Sequence, residues 1–220
     1  MPATAPPPSP VDPSQLGLRE RKKLKTRVAI REATYRLIAE QGYEATTVEQ
    51  IAQAAEVSAS TVFRYFPTKE DIVLTDEHDP VMEEALRNRP AEEPLLDSLR
   101  HVLRQTMEHS MRHEPEVTKL RMRLMAEVPA VRSRSLESMS VTGGMLCRVI
   151  AERTGRDPAE LEVRAYAMGL VGTLFETSRY WAERDYPDDI GDLLDRALTV
   201  FAQGLGPGVA RANQGGPTGR

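Results

Sequence analysis

Several features that define common protein classes are missing from this sequence. Cys147 is the only cysteine among the 220 residues, so no internal disulfide can form, and no Cys/His cluster has the spacing of a zinc site. No stretch approaches the roughly 18 consecutive apolar residues of a membrane span. The N-terminal residues also lack the basic and apolar parts of a secretory signal. We therefore expect a cytoplasmic protein that is not a membrane protein, a disulfide scaffold or a zinc protein.

Catalytic motifs are missing as well. We find no nucleophile elbow, phosphate-binding loop or dinucleotide fingerprint. His101, His109 and His113 could share one helical face, and a metal or ligand site there is conceivable. A histidine pair without an obvious third ligand is more often part of a solvated face, however. The sequence thus predicts a protein that is not an enzyme and that has no cofactor or metal.

Strand patterns are scarce, because no run of strand length alternates apolar and polar residues. Apolar residues instead recur at spacings of three and four, which is typical of helices packed on one face. The fold class that we predict is therefore all-α. The expected helices run from about Leu18 to Gln41, Val48 to Glu56, Ser58 to Phe66, Lys69 to Thr75, Pro80 to Asn88, Pro94 to Glu114, Pro115 to Val128, Pro129 to Thr154, Pro158 to Asp185 and Asp189 to Leu205.

Proline and glycine are concentrated at the two ends of the chain. Residues 2–13 contain six prolines, and residues 206–220 contain seven glycines or prolines. We expect a disordered proline-rich tail at 1–15 and a disordered glycine-rich tail at 206–220.

Positive charge is concentrated near the start of the first helix. Eight basic and two acidic residues lie between Arg19 and Arg36, so this segment carries +6 while the whole chain carries −4. Such a segment predicts a polyanionic partner, either nucleic acid or an anionic membrane. A solvated charged helix would give the same pattern.

Two short helices joined by a tight turn follow the basic helix. Thr46 with Glu49, or Thr47 with Gln50, fits a capping box at the start of the first short helix, and Ser58 is a good N-cap for the second. In the second helix we expect Val62 and Phe66 to face the core and the polar side chains to remain outside. A helix held in this way can enter a DNA major groove, although a helical hairpin of a core is the alternative.

These residues resemble the TetR family of bacterial transcriptional regulators. The similarity covers roughly Leu24 to Leu74, with its strongest part in Thr46 to Ser58 and Ser60 to Glu70. It implies a helix-turn-helix DNA-binding domain at 16–68, followed by a larger helical ligand-binding and dimerisation domain at 69–205. Two positions depart from the family pattern. Phe63 stands where many relatives have tyrosine, and Glu56 occupies a turn position often filled by glycine.

The resemblance also implies which residues contact double-stranded DNA. The helix from Ser58 to Phe66 would read the major groove, and Thr47, Tyr65 and Lys69 would contact phosphates, as would the basic run from Arg19 to Arg27. The residues predicted to bind DNA are Arg27, Thr47, Ser58, Ala59, Ser60, Thr61, Phe63, Arg64, Tyr65 and Lys69.

The second half of the chain suggests two further sites. Methionines adapt to varied apolar shapes, so a pocket for a small apolar effector is one interpretation of Leu103, Met107, Met111, Leu124 and Met125, and ordinary core packing is the other. A homodimer would double a short recognition site into a palindrome. Its predicted interface is Ala165, Gly169, Gly172, Leu194, Ala197, Leu198 and Phe201, although this stripe could also pack inside one chain.

Together these features predict a ligand-responsive regulator, most simply a repressor that a small apolar effector releases from a palindromic operator. The alternative is an architectural or activating DNA-binding protein that responds to no small molecule. The roughly 130 residues that follow the DNA-binding part favour the first, because an architectural protein needs no large apolar helical domain.

Overall fold

A computed structural model describes residues 17–75 and 79–206, which form ten α-helices and no strand, so the predicted all-α fold is confirmed. The tails predicted at 1–15 and 206–220 lie outside the described residues, apart from Gly206. No helix in the described ranges is both long and apolar enough to cross a membrane. The helices are α1 (Leu18–Gln41), α2 (Val48–Ala54), α3 (Ala59–Tyr65), α4 (Lys69–Leu74), α5 (Asp79–Arg87), α6 (Leu95–His113), α7 (Pro115–Glu127), α8 (Pro129–Thr154), α9 (Leu161–Glu183) and α10 (Ile190–Gln203).

Helices α1 to α4 pack around a small apolar cluster at the N-terminal end of the fold. Ile30 of α1, Ile51 of α2 and Val62 of α3 are each completely buried there. Phe66, which directly follows α3, is buried in the same cluster. Gly42 ends α1 with a positive φ of 85°, which lets the chain turn toward α2. The expectation that Val62 and Phe66 face the core is therefore confirmed.

Helices α5 to α10 form a larger unit with two apolar clusters. One joins α5, α6, α8, α9 and α10, and the other surrounds Trp181 between α7, α9 and α10. Helix α8 approaches α9 closely at Gly143, where an added Cβ would come within 2.4 Å of the Met168 sulfur. Gly143 thus marks a close contact between the two helices.

Helix α4 lies between the two units and connects them. Val73 of α4 packs with Ile38 of α1, Leu124 of α7 and Val131 of α8 in one cluster. The buried Tyr35 hydroxyl donates a 2.8 Å hydrogen bond to the Val73 carbonyl, which ties α1 to α4. Any displacement of α4 is therefore transmitted to α1 through packed groups.

Candidate nucleic-acid interface

The turn between α2 and α3 has the geometry of a helix-turn-helix. Glu56 adopts a left-handed conformation with φ of 55°, as its glycine-like position in the turn suggested. The Val57 N–H donates to the Ala52 carbonyl at 2.9 Å and closes the turn onto α2. Ile51, Ala52 and Val62 then hold the two short helices together in the core.

Helix α2 begins with the capping box formed by Thr47 and Gln50. The Thr47 hydroxyl accepts from the Gln50 N–H at 3.3 Å, and the Gln50 side chain accepts from the Thr47 N–H at 2.9 Å. Thr46, the other candidate, is buried, and its hydroxyl donates to the Gly42 carbonyl at 2.8 Å. The cap therefore exposes Thr47 at the positive end of a helix, where a phosphate would bind.

Helix α3 presents a polar face to solvent. Ser58 caps the helix by accepting from the Thr61 N–H at 3.1 Å, and its Oγ lies 2.9 Å from the Ser60 and Thr61 hydroxyls. Phe63, which is 49% exposed, and Arg64 lie on the outer face. Ala59 and Tyr65 are half-buried and pack partly against the N-terminal cluster.

Two arginines flank the recognition helix. The Arg64 guanidinium lies 5.4 Å from the centroid of the Tyr65 ring, and the Arg27 guanidinium lies 5.0 Å from that of Phe66. The second contact brings the basic part of α1 next to the C-terminal end of α3. Cationic groups from α1 and α3 thus lie next to the adjacent aromatic residues Tyr65 and Phe66 at the end of α3.

Lys69 joins the loop after α1 to the start of α4. Its ammonium group donates to the carbonyls of Tyr43 and Thr46 at 2.9 and 3.0 Å. An ammonium has three N–H donors, so these two bonds leave one for a phosphate. The DNA contact at Lys69 stays a prediction, and it would share the ammonium group with these two contacts inside the protein.

Tyr43 and Glu70 belong to the same junction, and the sequence analysis did not identify them. The Tyr43 hydroxyl donates to the Glu70 carboxylate. Burial and this hydrogen bond raise the pKa of Tyr43 well above its ordinary value. Burial alone would raise the pKa of Glu70. Hydrogen bonds with Tyr43, the backbone and Thr68, together with the positive charge of Lys69, outweigh burial and lower this pKa below its ordinary value of 4.5. The only signal in the sequence was an aromatic residue directly after the glycine that ends α1.

A cavity of about 410 Å³ lies behind α4, between α7, α8 and α9. Of the five residues predicted to line a pocket, Met125 lies in its wall. The other four do not line this cavity, because Leu124 is buried in the cluster below α1, and Leu103, Met107 and Met111 pack against the apolar clusters of α6 to α10. The wall consists of Asp71, Leu74, Thr75, Arg121, Met122, Met125, Arg134, Ser135, Ser138, Met139, Val141, Thr142, Val171, Leu174, Phe175 and Ser178.

A mostly apolar groove of about 750 Å³ lies between α9 and α10. Among the residues predicted to form a dimer interface, Gly169, Gly172, Ala197 and Phe201 line it, and Ala165 is exposed on α9. Leu194 and Leu198 do not, because they are 5% and 0% exposed inside the single chain. Val200, which the sequence analysis did not include, also lines the groove and is 45% exposed.

The three histidines of α6 do not form a metal site. His109 and His113 stack with ring centroids 4.1 Å apart, and His113 Nδ1 lies 2.8 Å from the His109 carbonyl. In the described part of the chain, no three histidine, cysteine or acidic side chains are grouped to hold a metal ion.

Comparison with known proteins places this interface in a family. Residues 30–75 match the model of the tetR family of bacterial regulatory proteins, and residues 93–206 match the MftR C-terminal domain, a TetR-type C-terminal model. The chain belongs to the TetR family of transcriptional regulators. It is a DNA-binding regulator of that family rather than an enzyme.

Three relatives illustrate the similarity. The chain is 36% identical over 152 residues to the transcriptional regulator TcmR of Streptomyces glaucescens, covering 66% of this chain and 67% of TcmR. It is 27% identical over 184 residues to the fatty acid metabolism regulator protein of Bacillus subtilis, covering 79% and 92% of the two chains. Among solved structures, the TetR-family repressor FadR of Thermus thermophilus in complex with lauroyl-CoA superimposes with a TM-score of 0.56 at 24% identity. That match covers 86% of this chain and all of FadR.

Proposed function

We propose that this regulator is a repressor that binds a palindromic operator as a homodimer and is released by a small, largely apolar effector. The observation that carries the proposal is the cavity behind α4. Leu74 of α4 forms part of its wall, and only residues 66–68 separate α4 from the recognition helix α3. A molecule in the cavity would therefore touch the helix that follows the DNA-reading element.

The coupling follows from linkage. An effector changes DNA affinity only through its different affinities for the DNA-bound and the free conformations. Two recognition helices of a dimer must be separated by about one DNA turn, roughly 34 Å. A small rotation of α4 would change that separation, so an effector that fits the rotated form weakens operator binding.

The groove between α9 and α10 supports the dimer. One short helix reads only a few base pairs, and a two-fold partner doubles the site. Gly172 has open space where a Cβ would stand, so a partner helix could approach closely there. We propose that Ala165, Gly169, Gly172, Ala197, Val200 and Phe201 contribute to this contact, and that residues 16–68 and 69–205 form the two domains.

Compounds with an acyl chain are the first effectors to test. Met122, Met125 and Phe175 give the cavity an adaptable apolar wall, and relatives include a fatty acid metabolism regulator and a repressor solved with lauroyl-CoA. Coenzyme A alone is the matched control, because it lacks the acyl chain.

The decisive experiment has two steps. Genomic DNA fragments captured by the pure protein are sequenced to find an operator, and operator affinity is then measured with and without lauroyl-CoA. We expect lauroyl-CoA, but not coenzyme A, to weaken binding at least tenfold. If the protein binds its operator but no acyl compound changes that affinity, acyl compounds are not its effectors, and only the proposal of a DNA-binding dimer remains. Uniform coating of operator and scrambled DNA would favour the architectural alternative.

A further inference from the structure

Asp71, the third residue of α4, connects two helices through its two carboxylate oxygens. Oδ2 accepts hydrogen bonds from the Thr68 N–H at 3.1 Å and the Thr68 hydroxyl at 3.0 Å, which completes the capping box of α4. Oδ1 accepts from Arg134 Nε of α8 at 2.8 Å. One carboxylate therefore caps α4 and attaches its N-terminal end to α8.

The capped end of α4 lies next to the recognition helix. Thr68 is separated from the end of α3 by Phe66 and Pro67 alone. Phe66 is 1% exposed and packs in the N-terminal cluster, so the segment between α3 and α4 has little freedom to move. Movement of Asp71 is thus transmitted through Thr68 to the end of the DNA-reading helix.

Arg134 also faces the effector cavity. Three charged side chains line that cavity, the cationic Arg121 and Arg134 and the anionic Asp71, while most of the remaining lining is apolar. Arg134 uses Nε for Asp71 and Nη1 for Glu137, which it contacts at 2.7 Å. The carboxylates of Asp71 and Glu137 are thus each bound mainly through one guanidinium nitrogen. Neither forms the bidentate contact that is the strongest interaction of an arginine with a carboxylate.

We propose that Arg134 receives an anionic oxygen group of the effector and releases Asp71 in exchange, so that α4 is detached from α8. This inference rests on the effector site proposed above and specifies its ligand as an amphiphile with an acidic end and an apolar chain. The apolar chain occupies the space beside Met122, Met125 and Phe175. The acidic end meets Arg134 at the border with α4.

Competition between Asp71 and the ligand has a consequence that a purely structural ion pair lacks. If both bind the same guanidinium, removing the Asp71 charge makes Arg134 more available and raises ligand affinity. Removing the Arg134 charge lowers affinity for an acid but not for an uncharged compound of the same chain length. The two substitutions therefore act on acid binding in opposite directions.

The experiment uses laurate and dodecanol, which share a chain length and differ in charge. Binding of each to the full chain is measured by calorimetry, and Trp181 fluorescence is a second readout because Met122, Met125 and Leu174 of the cavity wall pack in its cluster. We expect Arg134→Gln to weaken laurate binding about ten- to a hundredfold and to leave dodecanol unchanged. We expect Asp71→Asn, which keeps a capping oxygen, to tighten laurate binding several-fold.

Arg148→Gln is the matched control, since it removes the same charge from the same helix. Its guanidinium donates to the Gly144 carbonyl of α8 and does not line the cavity. This substitution should change the affinity for neither laurate nor dodecanol. Arg134→Lys keeps the positive charge and should bind laurate with intermediate affinity, which provides a second variant if Arg134→Gln unfolds.

The outcomes separate the two proposals. If laurate and dodecanol both bind and release the operator, but Arg134→Gln affects them equally or Asp71→Asn weakens laurate, the exchange at Arg134 is wrong and the effector site remains. If neither compound binds but lauroyl-CoA still releases the operator, the exchange at Arg134 is wrong and the effector site remains. If lauroyl-CoA has no effect either, both proposals fail.

Discussion

The Lys69 ammonium nitrogen lies 3.8 Å from the centroid of the Tyr43 ring while it donates to the Tyr43 carbonyl at 2.9 Å. Lys69 thus contacts both the ring and the backbone of Tyr43. This contact attaches the loop after α1 to the first residue of α4. The junction therefore stabilises the fold and orients a group predicted to meet phosphate.

Replacement of Lys69 should affect both stability and DNA binding. Lys69→Ala removes two charge-assisted hydrogen bonds and a cation–π contact at a partly buried site, so we expect the free energy of unfolding to fall by about 2 kcal/mol. Operator and scrambled DNA should lose affinity alike, because a phosphate contact carries no sequence information. Urea denaturation and fluorescence anisotropy measure the two effects. Loss of operator affinity alone would contradict the phosphate role.

The hydrogen bond from Tyr43 to Glu70 should make stability depend on pH. Tyr43→Phe keeps the ring beneath Lys69 and removes the hydroxyl, so we expect it to destabilise the protein by about 1 to 2 kcal/mol at neutral pH. The folded-state pKa of Glu70 lies below 4.5. Its ionised form therefore contributes stability above pH 4.5, and that contribution is lost as the pH falls through the folded-state pKa.

The stability difference between wild type and Tyr43→Phe should consequently narrow on acidification below pH 4.5. Urea denaturation at a series of pH values measures it. In a Glu70→Gln background the carboxyl cannot titrate, so the effect of Tyr43→Phe should no longer vary with pH through this site. A difference that does not narrow at any acidic pH at which the wild-type protein stays folded would contradict the linkage.

The sequence predicted those parts of the molecule that depend on local chemistry. The helices and the caps at Thr47 and Ser58 follow from apolar spacing and from side chains that bond the backbone three residues away. The left-handed conformation of Glu56 was suggested by the family resemblance, in which this turn position is often glycine. In each case the controlling contacts lie within a few residues along the chain.

Features that depend on distant contacts were assigned less well. Apolar spacing showed that α10 has a buried stripe, but not that Leu194 and Leu198 face their own chain while Val200 faces outward. It likewise could not show that free space adjoins Met125, because cavity volume depends on how four helices meet. The Arg134 contact with Asp71 joins positions 63 residues apart and left no local pattern.

Sequence specificity should depend on Arg64. Its guanidinium is exposed on α3 above the Tyr65 ring, where it could form a bidentate contact with a base. We expect Arg64→Ala to weaken operator binding by about 1 to 3 kcal/mol and to weaken scrambled DNA less. Arg148→Ala, which removes an exposed charge from α8, is the control in the same anisotropy assay. An equal loss for both DNA sequences would reassign Arg64 to phosphate.

Relief of the left-handed turn should stabilise the DNA-binding domain. A non-glycine residue at φ of 55° is unfavourable by about 1 to 2 kcal/mol. Glycine removes that strain but increases the entropy of the unfolded chain. The expected net gain for Glu56→Gly is therefore up to about 1 kcal/mol. Glu56→Ala keeps a Cβ and should show no such gain in thermal unfolding, and equal stabilisation by both variants would point to the lost charge instead.

The groove between α9 and α10 should be the dimer contact. Val200 is 45% exposed there, so Val200→Arg places a charge in the proposed interface without entering the core of the chain. We expect sedimentation to show monomers that keep their helical circular dichroism and that lose most of their operator affinity, because one recognition helix reads only half of a palindrome. Leu136→Arg is the matched control, since Leu136 is 51% exposed on α8 outside the groove. If Val200→Arg remained dimeric, or if Leu136→Arg produced monomers, the interface would have to be sought on another face of the helical domain.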